Sequence, residues 1–423
     1  TIYMGLLHLF FLNLHTFSSI PIAIALWLLV TLTYGAIYGL VPWLLQRLQP
    51  YWKHYHYLPI TWMLIETIKG VSIFGNPNGN LGYTLSDIVN YLPIYSVIGV
   101  IGVSGLIVLL NIWLLNILRN QQRKTETITI CLVILASLTI KSPTSLHTTP
   151  ITVSSIQTAI PQHTKINAKN WPYLIDHYKT HIQTTTSNII ILPESIIPAK
   201  TEKTALLESL QHIATNKNTT IIYGTFIAND TGFYNGSLTV HPTSPKETYK
   251  KQRLMPFGEY LPLRSIFEPW IPKQLAFQDF DAGMAANLST FKGIKIQPLI
   301  CLEGIYPQLY RKSPDTNMVV ILANNTWFHP SSAGKKLRQF AQVHAATFQR
   351  PVILSANTGH SAIISAKGAL IAQAPHHKAA TLSGAIQPNH NTSLAATAPW
   401  LGFVLILCIT FGYNRWNPAY KYT

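Results

Sequence analysis

Charged residues and cysteines are scarce in this chain of 423 residues. Asp, Glu, Lys and Arg together make up only 11% of it, whereas hydrophobic residues make up 48%. Its three cysteines are too few for a disulfide framework. A low charged fraction is typical of segments buried in lipid, where ionisable side chains are costly. The composition therefore indicates a membrane protein.

Several functional motifs are also absent. The sequence contains no GxxxxGK[ST], GxSxG or HExxH pattern, so no motif supports nucleotide binding, a serine hydrolase or a zincin metalloprotease. Despite a formal charge of +16, it contains no basic helix, RNP-type aromatic pattern or finger spacing. We therefore expect no nucleic-acid partner, no cofactor and no metal, and attribute the charge to a surface that faces anionic lipid.

Apolar runs predict about five membrane helices before residue 145 and one near the end. The third run carries Glu66 and Lys69, whose spacing places them on one helical face and favours a structural ion pair over a substrate contact. The runs span residues 3–18, 20–45, 58–75, 91–118, 126–140 and 397–413.

Basic loop residues predict the orientation. Arg119, Arg123 and Lys124 follow one predicted helix, and Arg47 and Lys53 lie in the loop two crossings earlier, so both loops are expected in the cytoplasm. Residues 150–395 then lie outside, on the same side as the loop GNPNGNLGY, which we expect to meet them.

Short β-branched runs alternate with amphipathic stretches between residues 150 and 395. Helices are predicted at 201–216 and 333–349, and a hairpin around Lys367 and Gly368. The pattern predicts a layered α/β domain held between membrane helices. Its strands are predicted at 188–193, 219–227, 236–241, 294–300, 317–323 and 351–355.

Three reactive side chains occupy distinctive contexts in this region. Glu194 lies in ILPES, Lys251 in YKKQRLMPFGEY and Cys301 in PLICLEGIYP, whereas Cys131 and Cys408 lie in apolar runs. A nucleophilic thiol needs a base, which a carboxylate can supply, and an ammonium can stabilise an oxyanion. The alternative is a structural Glu–Lys pair and a core cysteine.

These segments resemble the Glu, Lys and Cys motifs of the nitrilase superfamily, and PFGEY resembles its membrane branch, the apolipoprotein N-acyltransferases. The stretches from Trp62 to Asp87, NNTWF and QRPVILSANTGHSAII extend the resemblance over residues 58–375. The resemblance implies a nitrilase-type α-β-β-α sandwich in which Glu194 is the general base, Lys251 stabilises the oxyanion and Cys301 is the nucleophile. Glu259 and Glu303 match two further family acids with supporting roles.

The resemblance also implies a two-step acyl exchange. A phospholipid donates its acyl chain to Cys301 as a thioester, and the N-terminal amine of a diacylglyceryl-cysteine lipoprotein accepts it. Trp327 and Phe328 match a family aromatic pair, for which core packing is the alternative. We further expect Phe267, Trp270 and Phe277 to form an arm that dips into the outer leaflet, with ordinary packing as the alternative.

Four residues depart from the family pattern, namely Leu302, Asn325, His344 and Thr347. These departures leave open a TraB-type membrane nitrilase-like protein of a conjugal transfer system, with a different acceptor. A membrane-tethered amidase that transfers its acyl group to water, and a noncatalytic envelope component, are further alternatives.

The resulting expectation is a multi-pass protein of the bacterial inner membrane with its catalytic domain in the periplasm. Residues 1–145 form a transmembrane bundle of about five helices and 150–395 the extracytoplasmic nitrilase-like domain. Residues 396–415 form a C-terminal transmembrane helix, and 416–423 a cytoplasmic tail.

Overall fold

A computed structural model describes most of the α/β region and three of the apolar segments before it. The described residues are 6, 8–9, 12, 20–48, 57–71, 75–119, 127–128, 131, 135, 149–198, 205–230, 232–262, 264–267, 279–328 and 331–415. The predicted membrane helices at 3–18 and 126–140 and the tail at 416–423 lie almost wholly or wholly outside them.

In the described part of the chain before the α/β region, the helices are α1 (Ile20–Leu48), α2 (Leu58–Val71) and α3 (Tyr95–Leu118). Within α1, residues Ala23–Val41 are long and apolar enough to cross a membrane, and so is α3. A short apolar helix, α11 (Leu401–Arg415), follows the α/β region and packs against α3. The predicted runs at 20–45, 58–75, 91–118 and 397–413 are thus helical over most of their length.

Two six-stranded sheets form the centre of the α/β region. The first sheet comprises β1 (Ile151–Gln157), β2 (Ile189–Ile191), β3 (Thr220–Ala228), β4 (Phe233–Val240), β5 (Glu247–Lys250) and β12 (Ala380–Ile386). The second comprises β6 (Ser289–Phe291), β7 (Ile294–Ile300), β8 (Met318–Ala323), β9 (Val352–Ala356), β10 (Ala362–Ile364) and β11 (Leu370–Gln373). The strands of the first sheet run in the order β12-β1-β2-β3-β4-β5 and those of the second in the order β11-β10-β9-β8-β7-β6. The inner strands β1, β2 and β3 are parallel, as are β7, β8 and β9, and the outer strands pair antiparallel.

The sheets pack face to face and helices cover their outer faces. Ile189 and Ile191 of β2 point into the core between the sheets, while Ile190 points outward into the core beneath the helices. This burial on both faces explains why the inner strands β2 and β8 are continuous apolar runs. Over the first sheet lie α4 (Gln162–Ile166), α5 (Trp171–Gln183) and α6 (Ala205–Lys217). The second sheet is covered by α8 (Pro307–Lys312) and α9 (Ala333–Phe348), and α7 (Arg264–Phe267) and α10 (Leu394–Thr397) are single turns.

The loop between α2 and α3 contacts the α/β region, as expected. The Tyr83 hydroxyl lies 2.7 Å from His344 Nε2 on α9, and Arg253 Nη2 donates to the Gly75 carbonyl at 3.2 Å. Glu66 and Lys69 are both buried in α2 and bind this loop. Glu66 Oε1 accepts from the Leu81 N–H at 2.8 Å, and Lys69 Nζ donates to the Asn78 carbonyl at 2.8 Å. Each therefore braces the loop that follows its own helix.

Candidate active site

Glu194 and Cys301 leave the carboxyl ends of parallel strands in opposite sheets. Glu194 follows β2, and Cys301 directly follows β7 as the first residue of the 3₁₀ turn Cys301–Ile305. Cys301 has a φ of +51°, a left-handed conformation that costs energy in a residue with a Cβ atom and marks a sharp strand-to-helix turn. Gly224 on β3 admits Glu194 closely, because a Cβ there would lie 2.5 Å from Glu194 Cα.

Lys251 is 1% exposed and forms an ion pair with Glu259. Its Nζ lies 2.7 Å from Glu259 Oε1. The Lys251 main-chain N–H donates to the Asn235 carbonyl at 2.8 Å and continues the β4–β5 pairing beyond Lys250. Glu259 Oε2 accepts from the Met255 N–H at 2.7 Å, so the PFGEY turn folds back onto the lysine.

Asn235 on β4 joins the two carboxylates. Its Nδ2 donates to Glu194 Oε1 at 2.8 Å and to Glu259 Oε1 at 2.6 Å. The other Glu194 oxygen, Oε2, accepts from the Asn324 N–H at 2.8 Å. This same amide also lowers the pKa of Cys301, so it acts on both the carboxylate and the thiol.

The charges of the three residues are coupled. Burial raises the pKa of the Cys301 thiol, the Glu194 carboxylate raises it further, and Lys251 lowers it by a smaller amount. Burial lowers the pKa of Lys251, but attraction to Glu259, Glu194 and Cys301 outweighs burial and raises it above its ordinary value. The resting site therefore holds a neutral thiol beside a charged ammonium, and the thiol needs a base before it can act as a nucleophile.

Glu303 is fully buried and binds main-chain groups on both sides of the site. Its Oε2 accepts from the Ile300 N–H and the Tyr249 hydroxyl, and its Oε1 from the N–H groups of Gln252 and Arg253. Burial raises the pKa of Glu303, and Lys251 and these N–H groups oppose the increase. The carboxyl thus ties the segment after Lys251 to the turn that carries Cys301.

An apolar cavity of about 550 Å³ opens at Cys301. Leu302, Ile305, Leu337 and Phe340 line it from the α/β region. Helix α1 also lines it, with Leu26, Leu29, Val30, Thr33 and Tyr34. The thiol therefore lies between the buried charged network and an apolar space bounded by a helix long enough to span a membrane.

Two buried residues of the site were not singled out from the sequence. Asn235 is an amide inside a strand, and its role depends on Glu194 and Glu259, which are distant in sequence. Lys165 on α4 is fully buried, and its Nζ donates to the main-chain carbonyl of Glu194 at 3.3 Å. Burial lowers the pKa of Lys165 to about 7, and Glu194 partly opposes this shift. The only sequence signal for Asn235 is that it is a polar residue within FYNGSLTV, a segment with other residues that favour β-strands.

The residues that depart from the family pattern occupy defined places. Leu302 lines the apolar cavity, and Asn325 Nδ2 donates to the Gly359 carbonyl at 2.8 Å. His344 is buried between Tyr83 and the Gly304 carbonyl, which lies 3.1 Å from its Nδ1. Because a carbonyl only accepts, Nδ1 carries the proton and Nε2 accepts from the Tyr83 hydroxyl.

The structure describes little of the predicted lipid-binding aromatics. Trp270 and Phe277 lie outside the described residues, and Phe267 ends α7. Trp327 and Phe328 lie in the 3₁₀ turn Asn325–Phe328, which follows β8 at the same edge as Cys301. Their lipid contacts stay predictions.

Two family models match the chain. Carbon-nitrogen hydrolase matches residues 152–396, and the apolipoprotein N-acyltransferase N-terminal domain matches residues 1–113. Among solved structures, a CN-hydrolase superfamily protein from Xanthomonas campestris covers 61% of this chain and 97% of its own, with a TM-score of 0.46 and 17% identity.

Curated relatives named apolipoprotein N-acyltransferase match most of the chain. The Haemophilus ducreyi protein is 30% identical over 83% of this chain and 73% of its own length. The Photobacterium profundum protein is 27% identical over 89% of this chain and 77% of its own length. The TraB-type alternative has no support from these matches. The chain therefore belongs to the carbon-nitrogen hydrolase family, in the branch of the apolipoprotein N-acyltransferases.

Proposed function

We propose that the chain is a membrane N-acyltransferase that moves a fatty acyl chain from a phospholipid, through a Cys301 thioester, to the N-terminal amine of a diacylglyceryl-cysteine lipoprotein. The observation that carries the proposal is the position of Cys301 between the Glu194–Lys251 network and the apolar cavity. An acyl chain in that cavity presents its ester carbonyl to the thiol. The names of the matching relatives support the same reaction.

In the first half-reaction, Glu194 removes the proton of Cys301 as Sγ attacks the ester carbonyl carbon. Because burial raises the pKa of the thiol, proton removal and attack occur together rather than from a stored thiolate. Lys251 stabilises the negative charge on the carbonyl oxygen, and Glu259 and Asn235 hold Lys251 and Glu194 in place. Collapse of the tetrahedral intermediate breaks the C–O bond, and the proton on Glu194 passes to the departing lysophospholipid hydroxyl.

In the second half-reaction, the acceptor amine attacks the thioester carbonyl. Lys251 again stabilises the oxyanion, and Glu194 takes a proton from the attacking nitrogen. The C–S bond then breaks, the amide product leaves, and Cys301 regains its proton from Glu194. Each half-reaction thus returns the site to its starting protonation state, as a ping-pong mechanism requires.

The proposed placement in the membrane follows from the apolar helices. Residues 1–145 form the transmembrane bundle, 150–395 the periplasmic catalytic domain, 396–415 the last transmembrane helix and 416–423 a cytoplasmic tail. Exposed leucines on α1, among them Leu28, Leu29 and Leu32, suit contact with acyl chains. Since α1 also lines the cavity, a lipid can pass from the bilayer to Cys301 without crossing water.

The test is mass spectrometry of the purified protein after incubation with phospholipid. We expect a hydroxylamine-sensitive acyl mass on Cys301 that is lost in Cys301→Ala. A matched control is Cys131→Ala/Cys408→Ala, because both of these cysteines are exposed and lie outside the cavity. This control retains the adduct.

The second step is tested by adding a diacylglyceryl-cysteine peptide to the acylated protein. Loss of the thioester with gain of one acyl chain on the peptide amine supports the transferase. Release of free fatty acid with no acylated peptide identifies an amidase-like enzyme that uses water. Absence of any adduct on Cys301 under trapping conditions overturns the proposal.

A further inference from the structure

A second cavity, of about 160 Å³, lies where the outer face of the second sheet meets α8 and the end of α9, and Gln297 of β7 and Val319 of β8 are among its lining residues. It shares no lining residue with the cavity at Cys301. Arg311 at the end of α8, Arg350 just after α9 and Thr316 before β8 line it, together with Gln297, Thr392 and Thr397. Since a water occupies about 30 Å³ in the liquid, the space holds a small polar group with a few waters and excludes an acyl chain.

The cavity is cationic. Arg311 and Arg350 both line it, and no Asp or Glu does so among the described residues. Arg350 is 5% exposed and donates to main-chain carbonyls, including that of Pro314 at 3.2 Å. Arg311 lies 5.9 Å from the centre of the Phe348 ring. Burial lowers the pKa of both guanidinium groups, that of Arg350 to about 10. Arg350 is buried and Arg311 is half-buried, and positive charge held out of water without a carboxylate is costly unless an anion compensates it.

Three polar atoms around this cavity are buried without a hydrogen-bond partner in the part of the chain that the structure describes. They are Arg311 Nε, Thr316 Oγ1 and Gln297 Oε1. Thr316 is 2% exposed and Gln297 1%. Folded proteins rarely leave such groups unpaired, so a ligand or water is expected here. The guanidinium and the hydroxyl donate to an oxyanion, and Gln297 accepts from a water or from a hydroxyl of the ligand.

The position of the cavity favours a lipid headgroup. Thr392 and Thr397 belong to the segment that leads through α10 into the apolar helix α11. Ala395 of α10 packs near Gly99, where α3 begins. Trp400 between α10 and α11 is exposed, and exposed tryptophans favour the membrane–water interface. On the proposed placement of these helices, the cavity lies at the depth of the phosphate groups.

We propose that this cavity binds a phosphate group, supplied by the headgroup of an anionic phospholipid. This binding holds the catalytic domain against the bilayer at a point separate from Cys301. Free inorganic phosphate has the same chemistry, and the experiment below separates the two sources. Membrane placement belongs to the proposed function, whereas phosphate binding is measured without reference to acyl transfer.

Native mass spectrometry of the full chain, delipidated in a phosphate-free detergent, tests the proposal. Short-chain phosphatidylglycerol is titrated in one arm and inorganic phosphate in another, with wild type, Arg311→Gln and Thr316→Val. We expect the two variants to bind one phosphatidylglycerol fewer, or to bind it at least about tenfold more weakly, because each loses a bond to a charged phosphate. Lys367→Gln is the matched control for lost charge, since Lys367 lies at an exposed turn, and it binds as wild type.

The outcomes are distinct. Phosphatidylglycerol binding that depends on Arg311 and Thr316, with weak inorganic phosphate binding, supports the headgroup site. Equal dependence in the inorganic phosphate arm at the same concentrations overturns the lipid source and assigns a site for free phosphate. Equal binding by wild type and both variants overturns the proposal. A variant that forms the Cys301 acyl adduct is folded. If wild type forms no adduct, that result contradicts the proposed function and leaves the phosphate-binding result unaffected.

Discussion

Lys251 and Glu259 form a buried ion pair, with Nζ and Oε1 2.7 Å apart and the lysine side chain almost fully enclosed. Asn235 donates to the same Oε1, so the position of Lys251 is linked to that of Glu194 through a single amide. This arrangement holds the ammonium close to the thiol in the resting state. The electrostatic part of the proposed mechanism is therefore preformed and needs no rearrangement on binding the donor.

Removing the partner of Lys251 is expected to impair both folding and activity. Glu259→Gln leaves the buried ammonium without its ion pair, which typically costs about 3–5 kcal/mol. Lys251 is then free to pair with Glu194, which weakens that carboxylate as a base. We expect acyl-enzyme formation to slow by about 10²-fold or more. The measurements are the rate of appearance of the acyl mass on Cys301 and the melting temperature by tryptophan fluorescence.

A matched control for this change is Asp279→Asn. Asp279 pairs with Arg264 through atoms 2.5 Å apart, but both side chains are about one third exposed. Pairs in contact with solvent contribute about 0–1 kcal/mol, so this variant is expected to stay close to wild type. Equal effects of the two substitutions would contradict the importance of burial at Glu259.

The link between Tyr83 and His344 gives a second prediction. Tyr83→Phe leaves His344 Nε2 buried without a donor, at a cost of about 1–3 kcal/mol. Burial lowers the pKa of His344 to about 3, so the imidazole is neutral at every working pH. The drop in melting temperature is therefore expected to be the same at pH 5.5 and pH 8. Tyr91→Phe serves as the control, because Tyr91 is exposed, and a larger drop at pH 5.5 would contradict a neutral His344.

Most strands that are buried on both faces were predictable from the sequence. The run 294–300 coincides with β7, and the runs at 188–193, 219–227, 317–323 and 351–355 overlap β2, β3, β8 and β9 within two residues at either end. The inner strand β1 was not predicted, because its sequence ITVSSIQ alternates apolar and polar residues and gives no continuous apolar run. Strands β5, β6 and β12 were not predicted either, since they are short or lie at sheet edges with alternate residues exposed. Continuous apolar runs thus identify most of the inner strands, whereas edge strands depend on neighbours remote in sequence.

The residues of the candidate site divide in the same way, into those that a local sequence pattern identifies and those that depend on residues distant in sequence. Local context identified Glu194, Lys251 and Cys301, and the structure brings all three together. Asn235 and Lys165 act on Glu194 across 41 and 29 residues of chain, so no local pattern marks them. Contacts of this kind are set by the packing of separate elements, which a single sequence does not specify.

The close packing of α3, which precedes the α/β region, against α11, which follows it, gives a third prediction. A Cβ at Gly402 would lie 2.7 Å from the Ile98 carbonyl oxygen and 2.9 Å from Gly102 Cα, so α3 and α11 touch at backbone distance. Gly402→Leu is expected to separate these helices and destabilise the protein by about 1–3 kcal/mol, as overpacking generally does. The measurement is the melting temperature in detergent. Gly39→Leu is the control, because a Cβ there meets nothing within 4 Å among the described residues, and equal losses would contradict the close crossing.

The buried amine of Lys165 predicts how stability changes with pH. Burial lowers the pKa of Lys165 from its ordinary value of 10.5 to about 7. Between these values the folded chain holds the amine neutral while the unfolded chain protonates it, so unfolding takes up a proton. Stability therefore rises with pH across this window, by up to about 1.4 kcal/mol per pH unit. Below pH 7 the cost of burying the charge is fully present.

Lys165→Met removes this titration and retains an apolar side chain of similar length. We expect the variant to gain melting temperature relative to wild type at pH 7, and this gain to shrink as the pH approaches 9.5. Lys169→Met is the control, because Lys169 is exposed on the neighbouring 3₁₀ turn Ala168–Asn170 and its removal leaves the slope unchanged. If stability depends on pH as steeply in Lys165→Met as in wild type, another group takes up the proton on unfolding. In that case Lys165 is charged in the folded protein and its ammonium is compensated by Glu194.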